Sequence, residues 1–288
     1  MSPLALLLVL LAALCHSAWN LVVKTDTRRL EIQSGALVVG TLMCAPVLFF
    51  YSPWTLPLSA WAAIAVSALF ESAYVLALTS AYGAGDMSLV YPVARGSGTV
   101  LVAPLAVLLL GERLSPQGVV GIALVVAGIF LSHGLGRGAL RGWAVAGAHR
   151  RALGWALLTG ALIAGYSLVN KVGVTLVPVP LYAFLVFLAD AVIVRLVQWR
   201  WGATPPALRR DAPWGRMIVV GVLMMGAYLA VLVAMSQAPV SYVVAARYDD
   251  EYVRHNGQWK FKKMALTPYF MVPLKEGWAQ DDLLKMGH

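Results

Sequence analysis

The chain has 288 residues, of which 60% are hydrophobic and 12% charged, with a mean hydropathy of +0.76 and a formal net charge of +9. Soluble domains carry about 25% charged residues, so the composition excludes a soluble globular protein of this length and points to a polytopic membrane protein. The basic excess lies in residues 1–247, with 16 Lys+Arg against 7 Asp+Glu, while residues 248–288 hold six of each; it reads as loop orientation in a membrane, not as nucleic-acid binding.

The first apolar run, "MSPLALLLVLLAALCHSAWNLVVK", lacks a basic segment at its start and continues past Cys15 to Val23. It reads as an uncleaved first span. A span needs about 20 mainly apolar residues to cross ~30 Å of hydrocarbon. Further candidates fall at 32–51, 59–81, 87–110, 116–133, 152–171, 180–199 and 215–236, and a ninth begins near 239 and stops early. Helix breakers stand between them, among them Pro53, Pro57, Gly83, Gly111, Pro116, Pro178, Pro205 and Pro239. Cys15 and Cys44 both lie in apolar runs and suggest neither a disulfide framework nor a metal site.

Three short words recur in order at nearly one spacing. "AWNLVVK" (18–24) returns as "GYSLVNK" (165–171), "SAYVLAL" (72–78) as "GAYLAVL" (226–232), and "YPVAR" (91–95) as "VVAAR" (243–247), at offsets of 147, 154 and 152. A duplicated unit of about five spans is expected, with the two halves inverted because the number is odd. The spacing requires residues after Arg247 to repeat 96–133 and complete spans nine and ten. They do not: 248–288 contains no apolar run long enough to span. Instead "YDDEYVR" and "QWKFKKM" flank "HNG", a strand–turn–strand pattern around Asn256-Gly257.

Lys and Arg orient the spans. Loops after spans one, five and seven hold eleven of them, and the even-numbered loops hold two, Arg113 and Lys171. This split puts the odd loops in the cytoplasm and the N-terminus outside.

Words such as "GERLSPQGVVGIALVVAGIFLS", with the pattern "LLGERLSPxxxxGxxLVxxG" at 109–128, resemble the EamA family of the drug/metabolite transporter superfamily. The resemblance covers residues 3 to about 247. It implies an all-α polytopic membrane protein of two inverted five-helix repeats, both termini cytoplasmic, in conflict with the charge count. The units expected are a first repeat at 1–134, a loop at 135–151, an incomplete second repeat at 152–247 and a polar tail at 248–288. The tail resembles the last strands of SnoaL-like domains, of the nuclear transport factor 2-like fold, without the helices or most of the sheet. A junction at Arg247/Tyr248 is therefore expected, a break in the gene's history.

The function this implies is alternating-access export of small metabolites or amino acids across a bilayer, a bacterial inner or plasma membrane, with no enzyme activity and no cofactor. Loss of half of span nine and all of span ten leaves open whether the chain transports. Two rival readings are a soluble-enzyme remnant joined to a membrane segment and a non-transporting membrane interaction protein. Neither a phosphate-binding glycine loop nor a zinc spacing nor a nucleophile elbow occurs.

Charged groups within spans are expensive and usually face a cavity or a partner. Glu71 in span three and Arg95 in span four are expected to line a central polar cavity, as a pair or separately; Asp190 in span seven is a third such group. Trp19, Asn20, Tyr166 and Ser167, at repeat-related positions, are expected walls, with Tyr74, Tyr91 and Tyr228 as aromatic lining. His16, Asn20 and Lys24 share one helix face at i, i+4, i+8; Lys24 and Lys171 are expected to snorkel to the interface.

Overall fold

The computed structural model describes residues 3–85, 87–132, 147–202, 211–245, 248–255 and 258–266. In hydrocarbon every backbone polar group must be satisfied within the chain, so apolar runs of this length become helices. They are α1 (Pro3–Lys24), α2 (Arg29–Cys44), α3 (Leu58–Ala84), α4 (Met87–Leu110), α5 (Pro116–Ser132), α6 (Gly147–Leu176), α7 (Val179–Arg200), α8 (Trp214–Gln237) and the short α9 (Val240–Ala245). Each expected span coincides with a helix to within about five residues, except the one expected at 32–51, where α2 ends at Cys44 and a 3-10 turn follows. Seven are long and apolar enough to cross a membrane, and the protein is a multi-pass membrane protein. The eighth expected span, at 116–133, is α5, whose 17 residues sit at the lower limit for crossing.

The punctuation acts as the residues require. Pro46 lacks an N–H, and α2 tightens there into a 3-10 turn, Ala45–Phe49. Gly111 takes a left-handed φ of 65° at the end of α4, and the Glu112 N–H closes back on the Ala106 carbonyl at 3.2 Å. Ser115 then caps α5, its Oγ accepting from the Gly118 N–H at 3.0 Å, with Pro116 at the first helical position.

The bundle is apolar outside and polar at its centre. Phe49, Leu58 and Leu108 are exposed, as are Trp54, Trp199 and Trp201 close to helix ends, where tryptophans of membrane helices gather at the interface. α1 packs along α8, α3 along α6, α2 against α7 and α8, and α4 against α6. Loops one and seven meet at one end: the Arg28 guanidinium donates to the Asp211 carbonyl at 2.8 Å, and Arg216 pairs with the buried Asp26. Two odd-numbered loops thus share a side.

Both lysines, expected to snorkel, meet the C-terminal end of a neighbouring helix. Lys171 Nζ donates to the carbonyls of Met235 at 2.5 Å and Ala238 at 2.8 Å, the unsatisfied acceptors at the end of α8. Lys24 is buried, with its ammonium 5.3 Å from the Tyr82 ring centroid in the last turn of α3. A cation at a helix C-terminus is favourable. Lys171→Met is expected to lower the melting temperature of the detergent-solubilised chain, through a loss of about 1–2 kcal/mol, whereas a snorkelling lysine would leave it unchanged.

Glu112, in the "GERLSP" word, holds α9. Its carboxylate accepts from the Val240 N–H at 2.6 Å, the Ser241 N–H at 3.3 Å and the Ser241 hydroxyl at 2.5 Å. The Ser115 N–H adds a bond to the Tyr242 hydroxyl at 3.2 Å. Glu112→Ala is expected to raise amide exchange at Val240 and Ser241 about tenfold, read by mass spectrometry, because their first-turn donors lose their acceptor.

Past α9, β1 (Tyr248–His255) and β2 (Gln258–Leu266) pair antiparallel, with an irregularity between Glu251 and Tyr252. The expected Asn256-Gly257 turn, residues 135–146 of the inter-repeat loop expected at 135–151, residues 246–247 on one side of the expected junction, and the tail from 267 lie outside the described residues, while 147–151 of that loop belong to α6.

Candidate functional site

The centre of the bundle collects polar side chains from four helices. On α3, Ser67, Glu71 and Tyr74 recur at i, i+4 and i+7, one face of the helix. That face meets α6 and α7 in the core. Glu71 is 7% exposed and Asp190, on α7, 1%. Buried carboxyls are tolerated only with partners, and both have them. Glu71 Oε1 accepts from the Asn170 amide at 2.9 Å and from the Tyr228 hydroxyl at 2.8 Å. The Ser67 hydroxyl lies within reach of Glu71 Oε1 at 3.1 Å and of Asn170 Oδ1 at 2.5 Å, and its one proton serves one of them at a time. The Tyr182 hydroxyl donates to Asn170 Oδ1 at 2.9 Å, and Ser72 donates to Asp190 Oδ1 at 2.7 Å.

A cavity opens beside this cluster. His16 and Trp19 of α1, Leu37 of α2, and Glu71, Tyr74 and Val75 of α3 form one side. Tyr166 of α6, Phe187 and Asp190 of α7, and Met224 and Tyr228 of α8 form the other. Its rings pair across helices: Tyr74 meets Tyr166 edge-on at 5.6 Å, and Phe187 meets Tyr228 at 5.1 Å. His16 Nδ1 donates to the Ala12 carbonyl at 2.8 Å, which leaves Nε2 as the ring's second polar atom.

Of the ten residues expected at a site, Trp19, Glu71, Tyr74, Tyr166, Asp190 and Tyr228 line this one cavity. The other four stand outside the lining. Asn20 is buried next to Trp19 in α1, where it donates to the His16 carbonyl at 2.8 Å and accepts from the Tyr82 hydroxyl at 3.1 Å. Ser167 is buried in α6. Tyr91 packs on the core, and the Arg95 guanidinium lies 5.9 Å from the Tyr91 ring centroid. The side chains that bond Glu71 are Asn170, Tyr228 and Ser67; the proposed Glu71–Arg95 pairing gives way to that network. Asp190 and Arg195 go separate ways, as five-residue spacing on a helix requires, with Arg195 donating to Gln198 at 2.6 Å.

Sequence reasoning missed Ser67, Ser72, Tyr182 and Phe187. The i, i+4 spacing of Ser67 and Glu71 was the available signal; Tyr182 and Phe187 look like ordinary members of an apolar helix. Among the described residues no group of three or more His, Cys, Asp or Glu could hold a metal ion. The arrangement suits recognition of a small polar or charged molecule.

Residues 3–133 match the EamA-like transporter family. A solved crystal structure resembles the chain with a TM-score of 0.64 at 18% identity, over 85% of this chain and 84% of its own. At that identity the likeness concerns the fold, and it extends well past residue 133. No curated protein matches the chain in sequence.

Proposed function

We propose, from the match of residues 3–133 to the EamA-like transporter family, that this protein is a permease that exports small metabolites or amino acids by alternating access. The observation that carries the reading is the central cavity, with two buried carboxyls and a wall of rings between membrane-crossing helices. A charged group inside a membrane protein ordinarily marks a substrate or ion pathway.

Two inverted repeats account for its construction. Trp19 and Tyr166 are repeat-related, as are Tyr74 and Tyr228, and all four line the cavity. The exchange α1 to α6 and α8 to α3 turns the α1–α8 contact into the α6–α3 contact, and both are extensive. Lys24 and Lys171, also repeat-related, sit at the ends of α3 and α8. Every described lining residue comes from α1–α3 and α6–α8. The interruption of span nine therefore spares the cavity, and this favours the permease reading over a membrane anchor.

The test is reconstitution of the full chain into liposomes and counterflow with a panel of labelled amino acids, amines and small organic acids. Saturable exchange is expected for at least one class. A folded protein that exchanges none of them refutes the permease.

A further inference from the structure

The chemistry of the cavity identifies the class of solute, on the premise that the permease reading holds. Glu71 and Asp190 both face the space, and among the described lining residues there is neither Lys nor Arg. Arg95 acts on His16 electrostatically from outside that lining. The hydrogen bonds from Ser67, Asn170 and Tyr228 fall on Glu71 Oε1, and that from Ser72 on Asp190 Oδ1. The two carboxyls line the same space and act on each other electrostatically. Two buried carboxyls facing one space repel each other when both are charged, and a bound cation offsets that repulsion.

The walls suit a cation as well. Trp19, Tyr74, Tyr166, Phe187 and Tyr228 present rings around the space, and an ammonium within about 6 Å of such faces is attracted by their quadrupoles. One further group points to a ligand. Trp19 is 2% exposed, and its indole N–H has no acceptor among the described residues. Buried donors are satisfied in nearly all native structures, so an oxygen brought by the ligand completes it. The cavity leaves about 60 Å³ open to water centres, room for roughly four to six waters at ~10–15 Å³ each. The ligand is correspondingly compact.

We propose that the cavity takes a small amino alcohol or similarly hydroxylated amine. Its ammonium lies between Glu71 and Asp190, its short carbon stem lies against the rings, and its hydroxyl oxygen accepts from the Trp19 N–H.

The test compares three probes of four heavy atoms on the full chain in liposomes: ethanolamine, propylamine and ethylene glycol. Labelled ethanolamine is expected to exchange saturably, with propylamine competing about three- to tenfold more weakly and ethylene glycol not competing. Trp19→Phe is expected to bring ethanolamine down to propylamine. Glu71→Gln and Asp190→Asn should each weaken both amines about tenfold or more. Variant folding is read by thermal melting. Should Trp19→Phe fail to assemble, Tyr166→Leu carries the test by weakening both amines about threefold or more. Equal competition by ethylene glycol, or amine exchange indifferent to Glu71→Gln, overturns the proposal. Saturable exchange of neutral or anionic solutes with no amine exchange overturns it and leaves the permease standing. Absence of exchange for every solute overturns both.

Discussion

Glu71→Ala is expected to abolish solute exchange and to destabilise the bundle by about 2–4 kcal/mol. The alanine leaves the Tyr228 hydroxyl and the Asn170 amide without the acceptor they share. Between membrane helices such bonds are worth about 0.6 kcal/mol on average, so two bonds of average strength fall short of the total. The remainder comes from the truncated side chain, whose space the packed helices can close only in part. Glu71→Gln separates stability from function. Its amide oxygen can still accept from Tyr228 and Asn170, so the melting temperature should stay close to that of the parent, within about 1 kcal/mol. Exchange should still weaken about tenfold or more, because the charge is gone. Melting curves and counterflow on both variants decide the matter. A Glu71→Gln protein with parental exchange would mean that the carboxyl only holds helices together.

The second large effect concerns Gly160. A Cβ there would overlap Ser97 Oγ and lie 2.7 Å from the Ala94 carbonyl oxygen and 2.9 Å from the Gly98 nitrogen. The Ser97 hydroxyl can rotate away from its bond to the Val93 carbonyl, but backbone atoms of α4 cannot. α4 must therefore lift off α6. Small residues in membrane bundles serve this close approach, since lipid supplies no hydrophobic force to replace lost contact. Gly160→Ala is expected to cost about 1–3 kcal/mol, and Gly160→Leu to prevent α4 from docking. Gly154, in the same helix, has nothing within 4 Å of its would-be Cβ. Gly154→Ala should be neutral or stabilising by up to about 1 kcal/mol, since alanine is the better helix former. Thermal melting of the three variants side by side is the measurement. Equal effects of alanine at 154 and 160 would refute the close α4–α6 contact.

Much of the cavity lining could be read from the sequence, and the residues that fall outside it do so for physical reasons. Glu71 and Asp190 stood out because a charge in an apolar run is costly wherever it goes. Trp19, Tyr74, Tyr166 and Tyr228 stood out because duplication placed aromatics at matching positions. Asn20 stands outside the lining for a geometric reason. It lies one position from Trp19, and adjacent residues on a helix point about 100° apart. Trp19 reaches the cavity, while Asn20 turns to Tyr82. Arg95 was equally conspicuous in sequence, yet α4 contributes no lining residue among those described, and its guanidinium settles over Tyr91. No pattern along one strand of text says which of two charged spans lies inside the ring of helices.

The sequence by itself determined the solvent, the elements and their ends. Apolar run length in a medium without water leaves the backbone no alternative to helices, and proline, glycine and serine mark where they stop. Only the tertiary structure decided which helices surround the cavity. It also gave Lys24 and Lys171 their partners at helix ends, and gave Glu112 a helix to cap across more than a hundred residues. These roles depend on partners distant in the chain. Periodicity reports the face of one helix, and a neighbour's carbonyl or N–H can be assigned only once the helices are packed.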